Sequence, residues 1–306
     1  MALNVLKKNQ IERLGKMKNS TQKIAVITGA SAGIGKEAAK QLLQKGWRVI
    51  GIGRNPQRCQ QAEKELAGFA SSPDQFVMLT GDLAKMSETR DIAKKIATLT
   101  DRVDALLNNA GGLTAVLKMT PEGNENTFAS NHLGHFLLTQ SLLPLLKKSA
   151  KHSEPGATRI VNVSSLAHQQ ARPFDWDDVQ SLKNFYSGTA YCQVKLANIL
   201  FTRELAKRLS EYGIVAHAMH PGVVASNFAS HGDEVMQQHM EKAEKIAPET
   251  AARTLVWLAS DNEPGQSSGG YYFECKLEPV NPLGEDDEAA ARLWQESEKL
   301  VAGFLK

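Results

Sequence analysis

The chain has 306 residues, 42% hydrophobic and 23% charged, with a formal net charge of +3 at pH 7. That length fits one large α/β domain or two small ones, and so small a charge argues against nucleic acid or an anionic surface as partner. Three widely spaced cysteines (Cys59, Cys192, Cys275), with no CxxC pair, argue against a disulfide framework or a zinc site and suit a reducing compartment.

In chain order, residues 1–22 form a basic extension (Lys7, Lys8, Arg13, Lys16 and Lys18 against Glu12). It lacks an apolar h-region, so a solvated helix is expected there rather than a targeting peptide. No stretch approaches 18 apolar residues, so no transmembrane segment is expected and the protein reads as soluble and cytoplasmic. Residues 23–306 then alternate strand and helix patterns. Strands are expected at Ile24–Thr28, Arg48–Gly53, Phe76–Thr80, Val103–Asn108, Arg159–Ser164, Ile214–His220 and Gly270–Phe273. Between them, helices are expected at Gly35–Lys45, Pro56–Phe69, Ser87–Leu99, Asn124–Lys148, Ala190–Tyr212, near Val235–Ile246, and at Pro248–Ala259. A charged surface helix closes the chain at about Glu285–Val301. Strands separated by helical crossovers imply a single doubly wound parallel sheet of Rossmann type, helices on both faces. No repeat or linker divides it, so one domain is expected.

Two stretches carry chemistry. In Thr28-Gly29-Ala30-Ser31-Ala32-Gly33-Ile34-Gly35 a strand turns into a helix through glycines. Gly29 allows the tight turn, Gly33 lets backbone approach a pyrophosphate, and Gly35 lets helix pack on strand. The helix N-terminus then presents free N–H groups to phosphate oxygens. The second stretch places Tyr191 and Lys195 one helical turn apart on one face. A free tyrosine has a pKa of about 10, and bringing it near 7 takes roughly 4 kcal/mol. One cation about 4 Å away, at an effective dielectric near 20, supplies roughly that much.

With the TGxxxGxG turn, Asn108-Asn109-Ala110-Gly111 after the fourth strand, and Tyr191-Cys-Gln-Val-Lys195, the chain resembles a classical short-chain dehydrogenase/reductase. Asn131-His-Leu-Gly-His-Phe-Leu-Leu-Thr139, Arg159-Ile-Val-Asn-Val-Ser-Ser-Leu-Ala-His168 and Cys275-Lys-Leu-Glu-Pro-Val280 are similar to the branch that holds retinol dehydrogenases and WW-domain oxidoreductases. Membrane-bound retinol dehydrogenases carry an apolar N-terminal anchor, and no such anchor is expected from residues 1–22.

The resemblance implies four catalytic positions. Asn131 would hold a water in a proton relay toward the lysine, and Ser165 rather than Ser164 would hydrogen-bond the substrate carbonyl. Tyr191 would be the acid in reduction and the base in oxidation, while Lys195 would lower its pKa and hold the nicotinamide ribose. It further implies cofactor contacts from Gly29, Ser31, Ala32, Gly33, Ile34 and Gly35, from Asp82 and Leu83, and from Asn109, Ala110 and Gly111. Tyr191, Lys195, Pro221, Gly222, Val223 and Ser226 complete that set. At the end of the second strand, where NAD enzymes carry an acid for the ribose hydroxyls, the chain has Gly53-Arg54-Asn55. With no carboxylate to repel a 2′-phosphate and Arg54 to bind it, NADP(H) is expected.

The expected activity is NADP(H)-dependent interconversion of an apolar aldehyde or ketone with its alcohol. The alternative from another class is a redox sensor that holds NADP(H) without turnover. No metal is expected, since His132 and His135, three apart with no third ligand, read either as packing residues or as residues supporting the site from behind. The segment His168–Thr189 makes the spacing from Ser165 to Tyr191 long, and reads either as a substrate-contacting overhang or as a structural flap. A homodimer is open through the helices carrying Asn131 and Tyr191, a surface such inserts can block.

Overall fold

The computed structural model describes residues 22–225, 238 and 241–305. The basic extension up to residue 21, Ser226 and residues 235–237, 239 and 240 of the helix expected near Val235–Ile246 lie outside them; of that helix's described residues, 238, 241 and 242 are helical and 243–246 are not. One eight-stranded sheet has the order β3-β2-β1-β4-β5-β6-β7-β8. Its strands are β1 (Ile24–Thr28), β2 (Arg48–Gly53), β3 (Phe76–Thr80), β4 (Ala105–Asn108), β5 (Thr158–Val163), β6 (Ile214–Met219), β7 (Tyr271–Phe273) and β8 (Lys276–Leu277). β1 to β7 are parallel and β8 is antiparallel to β7.

Every residue of β1, β2, β5 and β6 is buried. That is why these strands read as unbroken apolar runs rather than alternating ones: helices cover both faces. On one face lie α1 (Gly33–Gln44), α2 (Pro56–Ala67) and α6 (Pro248–Ser260), whose Leu42, Leu43, Leu66 and Leu255 pack on Ile27 and Val49. On the other lie α3 (Met86–Leu99), α4 (Gly134–Lys151), α5 (Ser187–Leu209) and α7 (Asp287–Val301), built on Phe136, Leu200, Leu205 and Trp294. Burying one such Leu or Ile side chain contributes about 1.5–3 kcal/mol.

Three departures from the sequence expectation have physical causes. The helix expected from Asn124 to Lys148 is instead a short turn at Asn126–Phe128, a π-helical turn at Ala129–Leu133, and then α4. Apolar periodicity does not reveal one extra residue in a turn, and such turns gather at functional sites. The strand β8 went unread because its hairpin turn is made by Glu274 and Cys275, both at positive φ (48° and 61°). Asn-Gly, the usual signature of that geometry, is missing. Finally, α7 is half core rather than surface: Leu293, Trp294 and Val301 are buried, and Ser297 Oγ lies 2.8 Å from His132 Nε2.

Candidate functional site

The sheet order reverses between β1 and β4, and ligands of such folds bind in that crevice at the C-terminal strand ends. Thr28, Asn108 and Val163 end the neighbouring strands β1, β4 and β5. The glycine turn, the Asn-Asn-Ala-Gly stretch and the Ser-Ser pair therefore converge there, although together they span more than 130 residues of sequence.

The glycine turn is tied by Thr28, whose hydroxyl accepts from the backbone N–H of Asn109 and of Ala110, each at 2.8 Å. Asn109 Nδ2 donates to the Thr28 carbonyl at 2.8 Å. Gly29 (φ 73°) could not carry a side chain, since a Cβ would lie 2.8 Å from Asn109 Nδ2. At Gly35 a Cβ would lie 2.5 Å from both Asn109 Nδ2 and the Gly29 carbonyl oxygen, so the close approach is to the turn itself. Gly33 (φ 55°) faces open space, with nothing within 4 Å of an added Cβ. It also begins α1, two residues earlier than expected, and Ala32 gives that helix no side-chain cap. A helix start left uncapped, with no acid in its first turn and open space before it, fits a phosphate. These residues therefore fit a dinucleotide.

Farther along the crevice, Arg54 is exposed at the end of β2. Asn55 caps α2, its Oδ1 accepting from Arg58 N at 2.9 Å. Asp82 Oδ1 accepts from Ala84 N at 3.1 Å and shapes the turn after β3, while Leu83 is buried core. Gly222 has φ 77°, and its N–H donates to His220 Nδ1 at 3.2 Å, bending the chain at Pro221–Val223.

α5 carries Tyr191 and Lys195, and nearly all of it from Ala190 to Leu205 is buried, which holds both side chains in place. Ser165 hydrogen-bonds the Tyr191 side chain, and its Oγ also accepts from Ala167 N at 3.2 Å. Ser164 turns the other way and donates to the Lys195 carbonyl at 2.7 Å. Lys195 Nζ donates to the Val163 carbonyl at 3.3 Å and lies 5.3 Å from the centre of the Tyr191 ring. A Cβ on exposed Gly111 would meet Lys195 Nζ at 3.4 Å and Asn131 Oδ1 at 2.5 Å, so all three residues meet at one spot.

One reading of these side chains is corrected. Lys195 was expected to draw the Tyr191 pKa down toward neutrality, but burial pushes the phenol up from 10 and the ammonium down from 10.5 to about 7. The ammonium has one carbonyl and no carboxylate to offset its lost hydration, so desolvation wins. Asn131, expected to hold a water in a proton relay, lies in the π-helical turn. Its Nδ2 donates to the Gly112 carbonyl at 2.7 Å and the Thr127 carbonyl at 2.8 Å, its Oδ1 accepts from Gly112 N at 3.2 Å, and its main-chain oxygen lies 3.0 Å from His135 Nδ1.

The insert before Tyr191 divides in two. Phe174 and Trp176 stack on each other and pack beside Leu196 and Leu200 of α5, with Arg292 of α7 over the Trp176 ring. Gln180 Oε1 accepts from Glu125 N at 2.8 Å, pinning the insert to the turn before Asn131. That half is a flap folded onto helices. Only Leu182 and Tyr186, with Leu166 after Ser165, leave large apolar side chains exposed in this part of the chain. Cys192 is free and half-buried. Among the described residues, no group of three His, Cys, Asp or Glu side chains could hold a metal.

Sequence reasoning missed Thr28 as a hub of the site, and left His135 open between packing and supporting the site, where its contacts to Thr28 and Asn131 place it in the second role. The threonine stood in the TGxxxGxG turn, but only the glycines carried a stated mechanism. What the whole arrangement offers is two hydroxyls and an ammonium around one point, opposite a phosphate cradle. It can stabilise negative charge building on an oxygen and deliver a proton to it.

Comparison with known proteins agrees with this geometry. Residues 23–236 match the family described as short chain dehydrogenase. The chain is 38% identical to human retinol dehydrogenase 13, covering 91% of this chain and 84% of that protein. It is 39% identical to human retinol dehydrogenase 12, covering 91% and 86%. Among solved structures, an uncharacterized protein from Mycobacterium paratuberculosis superposes with a TM-score of 0.70 at 30% identity, covering 94% of this chain and 97% of that one. An NADP active-site complex of Pseudomonas aeruginosa RhlG superposes at 0.66 with 27% identity, covering 83% and 95%.

Proposed function

The chain belongs to the short chain dehydrogenase family, and from that premise we propose that it reduces an apolar aldehyde or ketone with NADPH, or oxidises the matching alcohol with NADP+, using Asn131, Ser165, Tyr191 and Lys195. Oxidoreduction between alcohols and carbonyls with a nicotinamide nucleotide is the chemistry of the family. The observation that carries the finer reading is the hydrogen bond between Ser165 and Tyr191. It brings two hydroxyls together beside Lys195.

When bound, the nicotinamide supplies or takes the hydride. The backbone of Gly29 and Ser31 to Gly35 would hold the pyrophosphate, Asp82, Leu83 and Asn109–Gly111 the adenosine, and Pro221–Val223 the nicotinamide end. Lys195 would hold the ribose. Ser165 donates to the carbonyl oxygen and Tyr191 gives that oxygen its proton. A phenol whose pKa lies above 10 is protonated throughout the physiological range, as an acid must be. Retinol-like alcohols enter as candidates through the names of the relatives. Among the described residues no helix is long and apolar enough to cross a membrane. A homodimer would use a face other than that of α5, which α7 and the insert cover.

A panel of apolar aldehydes, ketones and alcohols, followed by nicotinamide absorbance with each nucleotide, tests the reading. Tight NADPH binding without turnover of any of them would favour the redox sensor instead. Ser165→Ala should lower kcat by about 10²-fold, as loss of one donor to a developing oxyanion does. Ser164→Ala should leave kcat within about threefold and lower stability by about 1 kcal/mol, through its lost bond to the buried Lys195 carbonyl. Steady-state rates and thermal melts separate the two, and the reverse ranking overturns the assignment.

NADP(H) preference rests on Arg54. The neighbouring Gly53 cannot host a carboxylate, since a Cβ there would lie 2.6 Å from Cys59 Sγ and 2.9 Å from Ser31 Oγ. Arg54 should therefore contribute about 1.5–3 kcal/mol toward the 2′-phosphate, roughly ten- to a hundredfold in affinity. Arg54→Ala should weaken NADPH by that factor and leave NADH unchanged, and Arg54→Asp should reverse the preference. Equal weakening of both nucleotides in titrations would make the arginine structural.

A further inference from the structure

One buried histidine touches both ends of the site. His135 lies one turn after Asn131 and is 2% exposed. Its Nε2 stands 2.9 Å from Thr28 Oγ1 and its Nδ1 stands 3.0 Å from the main-chain oxygen of Asn131.

Thr28 decides which ring nitrogen carries the proton. Its hydroxyl oxygen has two lone pairs, and both are taken by the N–H groups of Asn109 and Ala110. One hydroxyl proton remains to be given. The acceptors in reach are His135 Nε2 at 2.9 Å and the Leu107 carbonyl at 3.4 Å, and the shorter contact is the real hydrogen bond. Nε2 therefore accepts, so the ring proton sits on Nδ1 and is donated to the Asn131 carbonyl. Burial keeps the ring neutral, holding its pKa down at about 4.

We propose that His135 is a positioning residue: it takes the hydroxyl proton bond of Thr28 in the dinucleotide turn and gives one to the Asn131 carbonyl, aligning the proton-relay end of the site with its cofactor end. This rests on the roles given above to Asn131 and Lys195. The Asn131 amide is engaged by Gly112, Thr127 and Ser130, so the relay role is given to its main-chain carbonyl, and His135 sets where that carbonyl points.

Three substitutions separate positioning from packing. The amide of His135→Asn reaches the place of Nδ1 and can donate to Asn131. That of His135→Gln reaches the place of Nε2 and can accept from Thr28, and His135→Leu can do neither. His135→Asn should keep kcat within about threefold of wild type, while the Gln and Leu variants fall about tenfold or more, on the scale of impaired proton transfer. The KM for the carbonyl and the affinity for NADPH should stay at wild-type values in His135→Gln. In the Gln and Leu variants the alkaline limb of the reductive pH profile should move to lower pH, because Tyr191 is reprotonated more slowly. A fall in kcat that simply follows melting temperature across all three, or a rate retained by Gln and lost by Asn, overturns the proposal.

A second readout needs no substrate. In 15N-histidine spectra of the wild-type protein, the signals missing from His135→Asn should show the Nδ1–H tautomer, unchanged from pH 5 to 9. The Nε2–H tautomer, or titration in that range, overturns the assignment of His135 by itself. Absence of turnover in the wild type would instead overturn the function proposed for the whole site.

Discussion

Replacing Tyr191 by phenylalanine is expected to lower turnover by at least about 10³-fold, because it removes the proton donor and one of two donors to the developing oxyanion together. The ring is 8% exposed and belongs to the core cluster with Val194 and Leu196. Phenylalanine therefore keeps the packing, and the fold should melt within a few degrees of wild type. Affinity for NADPH should change by no more than about tenfold, the worth of one neutral hydrogen bond. Ser165 keeps its own hydroxyl, so substrate binding should survive as well. Single-turnover rates with saturating nucleotide isolate the chemical step. A variant that retains a tenth of wild-type turnover would show that the proton comes from elsewhere, and the role given to Tyr191 would fall.

Lys195→Met is expected to separate function from stability. Turnover should drop by at least about 10²-fold, since the positive charge beside Tyr191 and the hold on the ribose go together. Stability should move the other way at low pH. The folded pKa of Lys195 is about 7 against an ordinary value of 10.5. Between those values the unfolded chain binds the extra proton, so wild-type stability rises with pH across that window and the burial penalty is full below pH 7. The penalty is on the order of 4 kcal/mol at about 1.4 kcal/mol per unit. Methionine fills a similar volume without a charge, so the variant should melt several degrees above wild type at pH 6, and the gap should shrink toward pH 10. Thermal melts of both proteins at pH 6, 8 and 10 give the comparison. A gap that does not change with pH would mean that Lys195 is charged throughout, and its depressed pKa would be wrong.

Much of this molecule was legible before any coordinates. The doubly wound sheet followed from apolar strand runs such as Ile24–Thr28 and Arg48–Gly53, alternating with helices of fixed apolar face. Local hydrophobic periodicity is a property of the chain itself, and the observed strands keep those bounds. The glycine turn was equally plain, because a positive φ at Gly29 and Gly33 is a demand that few other residues meet.

Tertiary structure alone decided the rest. Where the pKa values of Tyr191 and Lys195 come to rest depends on how much water each has lost, and helical spacing carries no record of that. Which hydroxyl of the Ser164–Ser165 pair faces the phenol depends on where α5 lies against the end of β5. That Asn131 sits in a π-helical turn, with its amide bonded to Gly112, is equally invisible in the sequence. The bridge from Thr28 through His135 to Asn131 spans more than 100 residues of sequence. Charge and hydrogen bonding act through space, so those features took form only when the sheet brought β1, β4 and β5 side by side.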